Sequence, residues 1–242
     1  MNENSTEEKT KFVEGKGILN LPNILTISRI VMIPIFVVFF YVHFTGHYFV
    51  AWAIFAIAAV TDLLDGYIAR KHNLVTNLGK FLDPIADKVL VLTALIIFLT
   101  RPHIFLYNFG GSELNSATWR DVMSCASPGF ESWPLIVAGC GVSLIIAREM
   151  IVSGLRMVAA SSGCVIAADK IGKYKTFSQD LCIGFLVVAE GIYEIAESYL
   201  PEWHLFGEVV NYIGLGLFII SVILTVISGI NYVVKNLDVL KK

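Results

Sequence analysis

Asp62-Leu-Leu-Asp65-Gly66-Tyr-Ile-Ala69-Arg70 is followed, after eight intervening residues, by Gly79-Lys-Phe-Leu-Asp83-Pro-Ile-Ala-Asp87. Positions three, four, seven or eight residues apart share a face of an α-helix. The first stretch therefore places Asp62, Asp65 and Arg70 on one helix face. The second places Gly79, Asp83 and Asp87 on one face of the next helix. We expect the two helices to run antiparallel and to bring the four carboxylates together.

The chain around these stretches is too apolar for a soluble domain of its size. Of its 242 residues, 56% are hydrophobic and only 16% are charged, and the mean hydropathy is +0.71. Soluble domains carry about 25% charged residues. Runs that approach or exceed the roughly 20 residues needed to cross a bilayer cover 24–44, 48–69, 84–100, 134–157, 177–199 and 209–234. The sequence therefore predicts an all-α integral membrane protein with six transmembrane helices.

Lysine and arginine are distributed unevenly between the two predicted sides of the membrane. If the N-terminus is cytoplasmic, Arg101 and Arg120 are the only two of the 18 Lys and Arg residues on the outer side. The positive-inside rule then places both termini and the carboxylates on the cytoplasmic side. We predict a polar cytoplasmic tail at 1–20, a six-helix membrane domain at 21–236 with an outer loop at 101–133, and a cytoplasmic tail at 237–242.

Several helix boundaries can be predicted locally. Asn23 is expected to cap the N-terminus of the first helix. The pair Asp83-Pro84 fits either a cap followed by proline at the first helical position or a kink in a helix that began near Gly79. The fourth helix is expected to end near Arg148, and the stretch 172–176 to lie in the connection that follows.

Four carboxylates in a low-dielectric environment repel one another and favour protonation. A divalent cation, or two, removes that conflict. Oxygen ligands suit Mg²⁺ or Mn²⁺, and neither stretch contains the His or Cys that would suggest zinc. Carboxylate-bound Mg²⁺ commonly acts on substrate phosphates. Arg70 can pair with a diphosphate, and glycine on a helix face lets a ligand approach the backbone. These features predict phosphoryl-transfer chemistry.

A second group of charged residues is basic and is expected at the same membrane face. It consists of Arg148, Arg156, Lys173 and Lys175. Attraction to anionic lipids is the alternative explanation. We favour a specific anion pocket, because Arg148 lies a turn or two inside the apolar span.

A polar stripe near the start of the first helix contains Thr26 and Arg29. An arginine at this depth is costly unless it is paired or hydrated. The alternative role for Arg29 is snorkelling to lipid phosphates.

The pattern D-x2-D-G-x2-A-R-x8-G-x3-D-x3-D across 62–87 resembles the signature of the CDP-alcohol phosphatidyltransferase family, and every defined position is present. The resemblance implies that Asp62, Asp65 and Asp83 bind divalent metal. It implies that Asp87 deprotonates the acceptor alcohol and can also contact a metal. It further assigns the CDP-lipid site to Gly66, Arg70 and Gly79, with support from Thr26 and Arg29.

Segments outside the signature resemble the bacterial phosphatidylglycerophosphate synthases of that family. These segments are 22–34, Ala147-Arg148-Glu149 with Arg156, and 172–176. The resemblance, which covers about residues 20–235, implies transfer of the phosphatidyl group from CDP-diacylglycerol to glycerol 3-phosphate. The acceptor phosphate would be held by Arg148, Arg156, Lys173 and Lys175. It also implies a homodimer in the lipids of the bacterial inner membrane, with two Mg²⁺ or Mn²⁺ ions, and we expect no nucleic-acid partner.

Other functions compete with this interpretation. Within the family, the chain could be a cardiolipin synthase or could use inositol phosphate or serine, although the basic residues disfavour serine. In a different class, intramembrane carboxylates are typical of cation-coupled transporters. The clustering of the charges at one membrane face and the absence of a recognisable inverted repeat disfavour a transporter.

Overall fold

The protein is described by a computed structural model that covers residues 21–72, 77–101, 103–106, 133–161 and 170–235. Side chains at 21–23, 62–84, 87, 103, 106, 133–134, 158, 160–161 and 170–171 lie outside that description. The helices are α1 (Leu21–Tyr41), α2 (His47–His72), α3 (Asn77–Leu99), α4 (His103–Leu106), α5 (Trp133–Ser161), α6 (Lys170–Ser198) and α7 (His204–Lys235), and a short 3-10 turn at Pro201–Trp203 precedes α7.

Six of these helices are long, and each coincides with one of the six apolar runs of the sequence. The described part of the chain contains no β-strand. Three segments are long and apolar enough to cross a membrane, namely Ile24–Tyr41, Leu135–Met157 and Pro201–Lys235. Shorter apolar helical segments occupy His47–Thr61 and Lys88–Leu99. The chain is therefore an all-α membrane protein, whereas the count of six spans and the side of the termini stay predictions.

Several predicted boundaries are wrong, and all err towards shorter helices. Asn23 does not cap α1, because the helix already begins at Leu21. Arg148 is well inside α5, which continues to Ser161. The stretch 172–176 belongs to the first turns of α6 and not to a connection. Of the two alternatives for Asp83-Pro84, the structure has the proline inside a helix, since α3 begins at Asn77.

At Asn23, at Asp83-Pro84 and at 172–176 the helices extend beyond the apolar runs, whereas at Arg148 the apolar run itself continues to 157. Short polar residues such as Ser and Asn can end a helix by hydrogen-bonding locally to the backbone, whereas Arg and Lys are good helix formers. Here Arg148 and Lys175 hydrogen-bond to other side chains, two of those bonds to neighbouring helices, so the helix backbone continues past them. In the predicted outer loop at 101–133, the structure adds the single turn of α4, and residues 107–132 lie outside the described part.

An aromatic cluster fills the bundle where α1, α2 and α3 meet. Phe36, Phe40 and Phe98 are fully buried, and Phe55 is nearly so. The ring centroid of Phe36 lies 6.0 Å from that of Phe40 and 5.9 Å from that of Phe55. Such tilted aromatic pairs contribute beyond their buried area. This core fixes α1, α2 and α3 relative to one another.

Helices α6 and α7 form the most extensive helix pair of the bundle, and glycine makes their contact close. A Cβ atom at Gly214 of α7 would lie 2.6 Å from Cδ2 of Leu186 and 3.3 Å from the Leu186 backbone nitrogen. Only a residue without a side chain fits this approach. Exposed apolar side chains such as Ile136 of α5 and Ile230 of α7 form the outward faces, as expected in hydrocarbon.

Candidate active site

The acidic stretches lie on two helices, as the sequence predicts. Asp62 to Arg70 belong to the second half of α2, and Gly79 to Asp87 belong to the first half of α3. The helical backbone at these positions agrees with the spacing that puts each set on one face. The side chains themselves lie outside the described residues, so the carboxylate cluster stays a prediction. Among the side chains that are described, no group of three or more His, Cys, Asp or Glu could hold a metal ion.

A buried ionic cluster lies between α5, α6 and α7. Lys175 of α6, with 2% of its surface exposed, donates to Oε1 of Glu149 on α5. Nη1 of Arg148 lies 3.0 Å from that same oxygen. Nη2 of Arg148 donates to Oγ of Ser228 on α7. The neighbouring residues Arg148 and Glu149 thus join three helices, although Glu149 is not among the predicted site residues.

Glycines on both neighbouring helices make room for the Arg148 side chain. A Cβ atom at Gly229 of α7 would lie 3.0 Å from Cγ of Arg148, and one at Gly172 of α6 would lie 4.0 Å from Nη2. The aliphatic part of the arginine therefore packs directly against the α7 backbone. This packing directs the guanidinium towards Glu149 and Ser228.

The other two predicted phosphate ligands are at the surface. Nε of Arg156 donates to the Tyr232 hydroxyl at 3.2 Å, and its guanidinium lies 5.5 Å from the centre of the same ring. Lys173 is exposed. Within the part of the chain that the structure describes, Arg148 and Lys175 share a carboxylate, whereas Arg156 and Lys173 do not join that pair.

Lys88 adds a third cation that sequence reasoning missed. Its ammonium donates to Oγ of Ser153, one helical turn beyond Glu149 on α5. The Ser153 hydroxyl in turn donates to the Glu149 backbone carbonyl at 2.5 Å. Lys88 directly follows Asp87 on α3, and this position beside a predicted catalytic carboxylate was the signal available in the sequence. The contact between Lys88 and Ser153 connects α3 to the ionic cluster.

A narrow polar cleft opens between α3, α5 and α6 beside this cluster. Its polar lining consists of Lys88, Glu149, Lys175, Thr176 and Gln179, and its apolar lining of Val91, Leu92 and Ile145. The free volume inside it is about 20 Å³, which suits one or two water molecules. The cleft therefore combines three charged side chains and two polar ones with an apolar wall.

The start of α1 contributes two further buried polar residues. Thr26 and Arg29 are both fully buried, with 0% of their surface exposed. A fully buried arginine does not reach the lipid phosphates at the bilayer surface, so the snorkelling alternative for Arg29 is wrong. Its assignment to the CDP-lipid site stays a prediction.

Comparison with known proteins identifies relatives that align with most of the chain. The family model for CDP-alcohol phosphatidyltransferase matches residues 19–227. A Bacillus subtilis (strain 168) protein is 36% identical over 236 residues, which cover 92% of this chain and 97% of that relative. An Escherichia coli (strain K12) protein is 33% identical over 215 residues, covering 88% and 92%. A Rickettsia bellii (strain RML369-C) protein is 34% identical over 213 residues, covering 88% and 93%. All three relatives bear the name CDP-diacylglycerol–glycerol-3-phosphate 3-phosphatidyltransferase.

Proposed function

The chain belongs to the CDP-alcohol phosphatidyltransferase family, and on that premise we propose that it transfers the phosphatidyl group of CDP-diacylglycerol to glycerol 3-phosphate. The products are phosphatidylglycerophosphate and CMP. The three relatives that bear the name of this activity align with 88% or more of the chain. The alignments extend well beyond residues 62–87, so the likeness is not confined to the family signature.

The observation that carries the choice of acceptor is the buried pair Arg148 and Lys175. Both cations bind one oxygen of one carboxylate, that of Glu149. Among the described side chains, these three groups together have a net charge of +1, and a buried excess charge is costly without a counter-ion. A phosphorylated acceptor supplies that counter-ion, whereas serine or an unphosphorylated alcohol does not. Arg148 and Lys175 form the buried part of the phosphate site, with Arg156 and Lys173 at its exposed rim.

The residues of the acidic stretches suit a divalent metal. Asp62, Asp65, Asp83 and Asp87 offer only oxygen ligands, which hard ions such as Mg²⁺ or Mn²⁺ prefer. Members of this family depend on divalent metal, and the four carboxylates are enough to hold two ions. When bound, the metal neutralises the diphosphate of the CDP-lipid.

The remaining residues of the signature hold the CDP-lipid. Arg70 pairs with the diphosphate through its planar guanidinium. Gly66 and Gly79 let the nucleotide approach the helix backbone. Thr26 and Arg29 of α1 support the headgroup from the other side. Arg29 is fully buried, so a diphosphate nearby would contact a cation that is shielded from water.

Asp87 is the general base of the reaction. It accepts the proton of the 1-hydroxyl of glycerol 3-phosphate, and the hydroxyl oxygen attacks the β-phosphorus of the CDP-lipid. A bond forms between that oxygen and the β-phosphorus, and the bond from the β-phosphorus to the oxygen shared with CMP breaks. Arg148 and Lys175 hold the acceptor phosphate during this step, which keeps the hydroxyl oriented towards Asp87.

We further propose a homodimer in the bacterial inner membrane, with six spans and the active site at the cytoplasmic side. The uneven distribution of Lys and Arg supports this orientation. CMP would leave to the cytosol, and the acyl chains would remain in the bilayer.

The proposed function is tested by measuring CMP release from purified protein. The assay contains CDP-diacylglycerol, Mg²⁺ and one acceptor at a time: glycerol 3-phosphate, phosphatidylglycerol, inositol phosphate or serine. We expect turnover with glycerol 3-phosphate alone, and loss of turnover when EDTA removes the metal. The matched control is the Asp87→Asn protein, which should release no CMP.

Turnover with a different acceptor would contradict the proposed substrate, and turnover with serine would also contradict the phosphate site at Arg148 and Lys175. Release of CMP without any acceptor, at the same rate, would indicate hydrolysis and not transfer. Folded protein that is inactive with every acceptor, but takes up cations into sealed vesicles without CDP-lipid, would support a transporter instead.

A further inference from the structure

Gln179 of α6 carries a buried amide group that has no role in the proposed reaction. Only 3% of its surface is exposed, and its Nε2 has no hydrogen-bond partner among the described residues. A buried donor without a partner loses its hydration without gaining a hydrogen bond in return. Such a group needs an acceptor, which a bound ligand or a water molecule can supply. Gln179 lines the polar cleft between α3, α5 and α6.

The cleft lies next to the proposed phosphate site. Lys175 and Gln179 are four residues apart on α6, so they are neighbours on one helix face, with Cβ atoms about 5–6 Å apart. A ligand whose phosphate contacts Lys175 can therefore present its next polar group to Gln179. On the opposite wall, Val91 of α3 lines the cleft, and Asp87 lies one helical turn before it.

The size and chemistry of the cleft limit what it can accept. A free volume of about 20 Å³ suits one or two water molecules, or a hydroxyl group of similar size. An amide nitrogen on one wall donates to an oxygen, and the Glu149 carboxylate on another wall accepts from a hydroxyl proton. A hydroxyl group can accept a hydrogen bond from the Gln179 amide and donate one to the Glu149 carboxylate.

We propose that this cleft seats the secondary hydroxyl of the phosphorylated acceptor and that Gln179 is the residue that selects for it. This inference rests on the proposed function, since it names a further contact of the same acceptor. The phosphate would contact Arg148 and Lys175, the 1-hydroxyl would face Asp87, and the 2-hydroxyl between them would enter the cleft. A site that hydrogen-bonds a substrate hydroxyl discriminates strongly against the analogue that lacks it.

The test compares glycerol 3-phosphate with 3-hydroxypropyl phosphate, which has the same phosphate and primary hydroxyl but no secondary hydroxyl. For the wild-type protein, we expect kcat/KM to be roughly 10- to 100-fold higher with glycerol 3-phosphate. In Gln179→Met, which keeps the side-chain length without the amide, glycerol 3-phosphate should lose most of that advantage. The value for 3-hydroxypropyl phosphate should stay within about twofold of wild type.

The matched control is Ser178→Ala. Ser178 is also buried on α6, but its hydroxyl donates to the Leu217 carbonyl at 3.3 Å, and it does not line the cleft. Its loss should change kcat/KM for the two acceptors by the same factor. If Gln179→Met does not purify as folded protein, Gln179→Asn replaces it, with a smaller loss confined to glycerol 3-phosphate.

The outcomes separate the inference from the proposed function. Equal kcat/KM for both acceptors in the wild-type protein would contradict binding of the secondary hydroxyl in the cleft. The proposed transferase activity would stand. An equal loss for both acceptors in the Gln179 variant would show that a water molecule or packing, and not the acceptor, occupies the cleft. Folded wild-type protein inactive with glycerol 3-phosphate would overturn the proposed function and this inference with it.

Discussion

Lys175 on α6 and Glu149 on α5 form a buried ion pair, and Arg148 binds the same carboxylate oxygen at 3.0 Å. The pair is shielded from water, since Lys175 is 2% exposed and Glu149 is 8% exposed. Removing one partner of a buried pair leaves an uncompensated charge, which costs far more than breaking a pair at the surface. Glu149 therefore links the stability of the bundle to the proposed acceptor site.

Glu149→Ala should destabilise the protein by about 3–5 kcal/mol, because Lys175 and Arg148 then remain buried without their shared carboxylate. The control is Glu208→Ala, which removes an exposed pair with His204 at 3.5 Å and should cost less than about 1 kcal/mol. Unfolding of both variants in the same detergent measures the difference. Equal losses would mean that burial does not govern the energetics of the Glu149 pair.

Arg148→Lys should raise KM for glycerol 3-phosphate by about tenfold while KM for CDP-diacylglycerol stays within about twofold. A single ammonium does not reproduce the two-ended contact of Arg148 with Glu149 and Ser228. Steady-state kinetics with each substrate varied in turn measures both constants.

The matched change is Arg156→Lys, at an exposed arginine that contacts Tyr232. An exposed cation–π contact contributes about 0.5–1 kcal/mol, so KM for glycerol 3-phosphate should rise less than about fivefold. A larger rise in KM for Arg156→Lys than for Arg148→Lys would indicate that the phosphate site lies nearer the surface of the bundle.

Asp87→Asn should lower kcat by at least about 10²–10⁴-fold, since the amide cannot accept the proton of the acceptor hydroxyl. Binding of Mn²⁺ and of CDP-diacylglycerol should be largely retained. Asp62→Asn is the comparison variant and should weaken Mn²⁺ binding itself. Paramagnetic titration of Mn²⁺ separates the two roles. Loss of Mn²⁺ binding in Asp87→Asn would show that the main role of Asp87 is to bind metal and not to act as the general base.

Gly214→Ala should destabilise the protein by about 1–3 kcal/mol, because the new methyl group would lie 2.6 Å from the Leu186 side chain. Gly216→Ala, two residues along the same helix, is the control. No atom lies within 4 Å of a Cβ at Gly216, so alanine there should be neutral or stabilising by up to about 1 kcal/mol. Thermal unfolding measures both. Similar stability of the two variants would contradict the close approach of α6 and α7.

Much of the fold could be predicted because bilayer thickness constrains the chain strongly. Each of the six apolar runs coincides with a long helix, since a backbone in hydrocarbon must satisfy its own hydrogen bonds. The helix end predicted near Arg148 and the connection predicted at 172–176 were wrong, because both predictions took polar residues as marks of helix ends. In this bundle, those residues bond across helices instead.

Hydropathy and an eight-position signature are local properties of the chain, so the membrane class, the six apolar helices and the family could be predicted without the tertiary structure. The family match over residues 19–227 confirms that resemblance. Helix packing determines which of the four predicted basic residues are buried together, and it brings Glu149, Lys88 and Gln179 next to Lys175. The reason is physical. A buried charge or amide is defined by its partners, and here those partners lie on other helices, at sequence distances that no helical period encodes.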